Sequence, residues 1–119
     1  MKRILMKGKI HKATVTESDL DYEGSLALDG ELMKAADMIP FEKVHVFNVT
    51  NGQRFSTYLI KAKEGSGTVG IYGAAAHKAG VGDTVIIVSY AFLDNDEIDF
   101  FMPKIVILGP GNRIKEIKK

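Results

Sequence analysis

Glycine interrupts this chain so often that no long element fits between the breaks. Twelve glycines fall within 119 residues, against three prolines. The runs between them are short and rich in Val, Ile, Thr, Phe and Tyr, side chains suited to a pleated, half-buried surface. Strands are expected at residues 4–6, 9–16, 25–28, 44–49, 54–61, 68–72, 84–92 and 104–108. Asp29 is placed to cap a short helix over 31–37, where Leu32, Ala35 and Ala36 share a face and Pro40 ends the pattern. Asn51-Gly52, between two alternating runs, signals a hairpin. Gly73-Ala74-Ala75-Ala76-His77 reads as a tight turn into one helical turn, 80–83 as a turn, and 94–99 as an acidic surface loop. Seven or eight short strands with two small helical pieces imply a closed barrel or a sandwich, because closure removes the exposed edges of a small sheet. The length suits a single domain.

Alternation sorts the side chains within two of these strands. In 9–16 it puts Lys9, His11, Ala13 and Val15 on one face. In 54–61 it sets Arg54, Ser56, Tyr58 and Ile60 against Phe55, Thr57 and Leu59. Composition then removes several kinds of chemistry. With no cysteine, disulfides, thiolate metal sites and thiol catalysis are out. His11, His45 and His77 are too scattered to read as a metal site. No G-x-S-x-G elbow presents a serine, and no glycine loop matches a phosphate-binding signature. A formal net charge of +1 gives no field for nucleic acid or a membrane surface. No apolar run approaches the roughly 20 residues that span a bilayer, and residues 1–7 lack the apolar stretch of a signal peptide. A cytoplasmic location is the default. The basic end (Arg113, Lys115, Lys118, Lys119) reads as a solubilising tail. Residue patterns alone stop at a soluble small β-barrel with a polar hairpin strand.

Five motifs carry the reading further. Gly8-Lys9-Ile10-His11, Tyr22-Glu23-Gly24-Ser25, the run from Asn48 through Gly52-Gln53-Arg54 to Thr57-Tyr58, Gly73-Ala74-Ala75-Ala76-His77, and Gly82-Asp83-Thr84-Val85 occur in this order. Together they resemble the bacterial pyruvoyl-dependent aspartate 1-decarboxylases, from about residue 7 to 108. The resemblance implies a mainly β fold, a six-stranded double-psi β-barrel with short helices. It also implies a homotetramer with active sites between neighbouring subunits. The implied activity converts L-aspartate to β-alanine for pantothenate and coenzyme A. A single domain over 1–119 would cut itself into 1–24 and 25–119. An accessory maturation protein is left open.

The resemblance also assigns roles. None of the twenty side chains offers a ketone, yet amino acid decarboxylation needs an electron sink. Ser25 is implied to attack the Gly24 carbonyl, and the rearranged chain to end in a covalent pyruvoyl group, with no metal involved. That group would form a Schiff base with the substrate amine. Gly24 suits attack because nothing shields its carbonyl, and Thr57 matches the residue that steadies the developing oxyanion. Tyr58 would return a proton to the carbanion. Lys9, Arg54, Thr57, Gly73, Ala74 and Ala75 would bind substrate, Arg54 through its bidentate fork. Thr57 needs a twist or bulge to join Tyr58, since alternation separates them. His11, Tyr22 and Tyr72 are further pocket candidates. Two positions depart from the family pattern: Tyr72 stands where many members carry Asn, and Phe47 where some carry Trp. Two other readings stay open. One is an unprocessed β-barrel binding module, the other a pyruvoyl decarboxylase of another acidic amino acid.

Overall fold

The computed structural model describes residues 1–118. Its first strand, β1, runs unbroken over Lys2–Thr14, where the sequence suggests two pieces. The break is a pair of bulges. The pairing of β1 with β7 (Thr84–Asp94) shifts register between Met6 and Gly8 and again between Ile10 and Ala13. At the second shift Lys12 takes φ 64°. The extra residue re-aims the side chains beyond it. Ile10 and Ala13 are therefore both fully buried, although strict alternation would put them on opposite faces. Lys9 and His11 remain half-buried on the outer face.

The remaining strands are β2 (Glu17–Asp19), β3 (Ser25–Asp29), β4 (Lys43–Asn48), β5 (Arg54–Ala62), β6 (Val69–Tyr72), β8 (Lys104–Leu108) and β9 (Ile114–Lys118). Their order is β2-β6-β3-β5-β4-β7-β1-β8-β9. Three neighbours run parallel, namely β1 with β8, β2 with β6, and β3 with β5. Among the described residues there are nine strands, more than the expected seven or eight. The additions are β2, within what reads as a connection, and β9, within what reads as a tail. Gly111 and Asn112, both at positive φ, turn the chain back so that β9 pairs antiparallel with β8. The lysines and Glu116 of β9 give this edge a charged character that discourages further pairing. Lys119 lies outside the described residues.

The short helices follow their caps. Helix α1 (Gly30–Ala35) starts where the Glu31 amide donates to the Asp29 carboxylate at 2.8 Å. It stops before the expected Asp37, which itself takes φ 56°. The Met38 amide then closes back on the Met33 carbonyl at 2.8 Å, a left-handed C-cap that acts ahead of Pro40. The acidic loop contains one further turn, α2 (Asn95–Ile98). Leu26, Leu28, Leu32, Leu59, Ile71 and Ile87 are fully buried with Val44, Val46, Val69 and Val85. At about 2 kcal/mol for each large aliphatic side chain removed from water, this cluster dominates the stability of the sheet. It also fixes which way each strand faces.

Candidate active site

The junction between Gly24 and Ser25 lies where residues 20–24 pass over the end of a strand. β6 is paired on one side with β2 and on the other with β3. The register aligns Asp19 with Tyr72 and Tyr72 with Ser25. The chain leaving β2 must therefore step across β6, about 10 Å at two strand spacings, before it enters β3. Gly73 makes the crossing possible. At φ 72° it turns under the loop, and a Cβ on it would sit 2.6 Å from the Gly24 Cα and 3.3 Å from the Tyr22 carbonyl oxygen. No other residue fits there.

Ser25 opens β3 and is 1% exposed. Its Oγ is buried and makes no hydrogen bond within the described residues. A buried hydroxyl without a partner is costly, and natural cores rarely leave one. Gly24, just before it, is exposed. The parallel pairing of Leu26 with Leu59 brings Tyr58 level with Ser25, since each precedes its partner by one residue. Tyr58 is 42% exposed and, with Lys43, Ser56 and Thr57, lines an open depression.

The alternation expected for β5 holds. Arg54, Ser56, Tyr58 and Ile60 are exposed, Phe55 and Thr57 half-buried, and Leu59 buried. β5 pairs with β4 without a register shift from Phe47–Arg54 to Lys43–Tyr58. The bulge needed to swing Thr57 onto the Tyr58 face is absent from that pairing, so the two side chains stay on opposite faces.

Tyr72 carries the largest electrostatic perturbation near the junction. Its hydroxyl donates to a Glu17 carboxylate oxygen, and its ring lies 5.0 Å from that of Tyr22, tilted by 39°. The hydrogen bond to Glu17, followed by burial and the negative charge of Glu17, pushes the phenol up to about 12. Ala74 and Ala75 continue from Gly73 in a 3-10 turn that ends at His77.

The other candidates stand apart from this group. Lys9 pairs with Val88 and Ile105, and Val88 pairs in turn with His45 and, across β4, Ser56. Lys9 is thus three strand spacings from β5, about 14 Å. Arg54 lies four residues before Tyr58, about 13 Å along the strand, with its guanidinium 4.4 Å from the Phe47 ring centroid. His11 has an Nδ1 without a partner. Burial first, then the charges of Lys9, Lys12 and Lys118, hold its imidazole below the usual histidine range. Lys9, His11 and Arg54 share the outer face of the sheet and, counted along its strands, stand away from Ser25.

Sequence reasoning missed Glu17. It is an acidic residue in a three-residue strand, and its relation to Tyr72 exists only through β6. A cleft of about 320 Å³ lies elsewhere, between Asp29, Gly65, Gly67 and Asn112. Its buried carboxylate already accepts from the amides of Glu31, Gly65 and Gly67 at 2.8–3.0 Å, so it serves the fold. Among the described residues no helix is long and apolar enough to cross a membrane.

The model of the aspartate decarboxylase family matches residues 1–115, and the chain belongs to that family. The aspartate 1-decarboxylase of Ralstonia nicotianae is 55% identical over 118 residues, covering 99% of this chain and 98% of that protein. That of Polynucleobacter asymbioticus is 54% identical over 119 residues, covering 100% and 99%. The Desulfotalea psychrophila enzyme is 50% identical over 115 residues, with 97% of each chain covered. Among solved structures, a computationally designed protein aligns over 75% of this chain and all of its own, at 15% identity and a TM-score of 0.42.

Proposed function

We propose that this chain is a self-processing decarboxylase that converts L-aspartate to β-alanine and CO₂, with Ser25 as the precursor of its pyruvoyl group. The observation that carries the reading is the buried, unpartnered Oγ of Ser25 directly after Gly24, an exposed residue with no side chain of its own. In the cut, Oγ adds to the Gly24 carbonyl carbon, the C–N bond breaks, and the nitrogen takes the hydroxyl proton. Loss of the Ser25 α-proton then expels Gly24 as a carboxylate. One water replaces the nitrogen, which leaves as ammonia. The products are residues 1–24 and a chain 25–119 that begins with the pyruvoyl group. Thr57 is assigned the hydrogen bond to the developing oxyanion.

The pyruvoyl carbonyl would supply the electron sink that no ordinary side chain offers. The protein's own residues do the rest. Tyr58, level with position 25, donates the proton that replaces CO₂ on the substrate Cα, and solvent returns it. Arg54 holds the second carboxylate in a bidentate fork, and Lys9 adds positive charge. The Gly73-Ala74-Ala75 backbone and His11 shape the remainder. Arg54 and Lys9 stand away from Ser25 along the sheet, and the reading includes a homotetramer with sites shared between subunits. It also includes a cytoplasmic role in pantothenate supply and a six-stranded double-psi barrel formed by part of the nine-strand sheet.

Intact mass spectrometry tests this directly. The expected result is two species matching residues 1–24 and 25–119, the second lighter than its sequence mass by the exchange of serine for pyruvoyl. Only full-length chain, together with no CO₂ released from L-aspartate, would favour an unprocessed binding module. Faster turnover of L-glutamate than of L-aspartate would assign the site to the other acidic amino acid.

A further inference from the structure

Tyr72 is bound to three separate stretches at once. Its backbone pairs with Asp19 on one side and Ser25 on the other. Its ring folds back along β6 over Gly70, where an added Cβ would come 2.6 Å from the phenol oxygen. The missing side chain at 70 is what lets the hydroxyl reach Glu17, the residue paired with Gly70. From the solvent side the ring is covered by Tyr22, itself 64% exposed and two residues before the junction. Residues 20–24 therefore cross β6 over an aromatic ring anchored at its far end. Glu17, Asp19 and Tyr22 face this phenol, and all of them disfavour its ionised form. The group stays a donor throughout the neutral range.

We propose that Tyr72, tied to Glu17 and covered by Tyr22, is a positioning residue that holds residues 20–24 across β6 in the geometry from which the Gly24–Ser25 bond rearranges. This rests on the self-cleavage reading above. The same contacts have a second consequence. Glu17 and Tyr22 belong to the small fragment and Tyr72 to the large one. After the cut, the brace becomes a contact between the two chains that keeps the new carboxyl end beside position 25.

The test uses the full chain with Tyr72→Phe, which removes only the hydroxyl, Glu17→Leu, which removes the acceptor, and Glu17→Gln, which keeps one. Appearance of the 25–119 mass from unprocessed chain is followed in time. Tyr72→Phe and Glu17→Leu are each expected to slow the cut about tenfold, the size of one charge-assisted hydrogen bond. The double variant should be no slower than either single one, and Glu17→Gln should recover most of the rate. Parent-like rates in both single variants, or effects that multiply in the double variant, would overturn the proposal. A second arm does not depend on cleavage. In a Ser25→Ala background, Tyr72→Phe should speed digestion after Glu23 by a glutamate-specific protease severalfold; unchanged digestion counts against the brace. If the parent chain is never cut but this arm responds, the self-cleavage reading fails and the brace stands as a structural clamp. If the parent cuts and neither arm responds, the brace alone fails.

Discussion

At the scale of single residues, Ser25 and Tyr72 carry most of what can be tested. Ser25→Ala is expected to leave the chain intact at 24/25 and abolish decarboxylation, read by intact mass and CO₂ release. It also removes a buried oxygen that bonds to nothing, so its thermal midpoint should equal or slightly exceed that of the parent chain before the cut. Tyr72 is the opposite case, a hydroxyl whose partner holds it protonated. With its ionisation raised from about 10 in the unfolded chain to about 12, its contribution to stability is complete below the unfolded value. It is lost as pH climbs through the folded one. Denaturant unfolding of the parent and Tyr72→Phe chains should therefore differ below pH 10 and converge by about pH 12. His11 titrates in the other sense. Its folded value is depressed, so the unfolded chain takes up a proton first, and stability falls as pH drops below about 6.5 until the folded imidazole is also protonated. His11→Gln should flatten that part of the acid stability curve.

Among the elements, the β4–β5 hairpin shows best how a local signal is modified by its surroundings. Asn51-Gly52 does mark the turn, and Gly52 sits at φ 77°. The connection is nonetheless wider than two residues, because β4 ends at Asn48 and β5 begins at Arg54. Asn48 explains the width. It is 2% exposed, and its side-chain amide donates at 2.9 Å to both the Lys78 carbonyl and the Asp83 carboxylate. Its Oδ1 accepts from the Thr50 amide at 2.9 Å. One side chain thus staples the hairpin to the turn before β7. The bond from Asn48 first, and then that from the Gly80 amide at 3.0 Å, hold the Asp83 carboxyl below the usual carboxylate range. Asn48→Ala leaves buried partners unpaired and should cost about 2–3 kcal/mol in urea unfolding. The hairpin, the helix cap at Asp29 and the two faces of β5 were all legible from spacing. The bulges in β1 were not, since what forces Ile10 and Ala13 inward together is the pairing with β7.

For the whole molecule, the separation of the candidate residues is the informative result. Ser25, Tyr58, Tyr22, Tyr72 and Gly73 gather at one end of β3, while Lys9, His11 and Arg54 lie elsewhere on the outer sheet face. If sites are shared between subunits, two inactive variants should complement each other. Ser25→Ala still carries Arg54, and Arg54→Ala still carries Ser25. Refolding them together in equal amounts should restore up to about a quarter of the parent turnover by random assembly, where each alone gives nearly none. No recovery in an assembled mixture would mean that Arg54 serves its own chain.

The strand-forming runs, the polarity of β5 and the order of the five motifs follow from the sequence by itself, because each rests on local spacing or side-chain chemistry. Gly24 and Ser25 were singled out by the resemblance that those motifs carry to a known family. Only the tertiary structure decided that β6 runs beneath the junction, that Glu17 meets Tyr72, and that the β4–β5 pairing carries no bulge at Thr57. Those relations depend on strand order and register, which are set by how the Leu, Ile and Val side chains pack together across residues far apart in the chain.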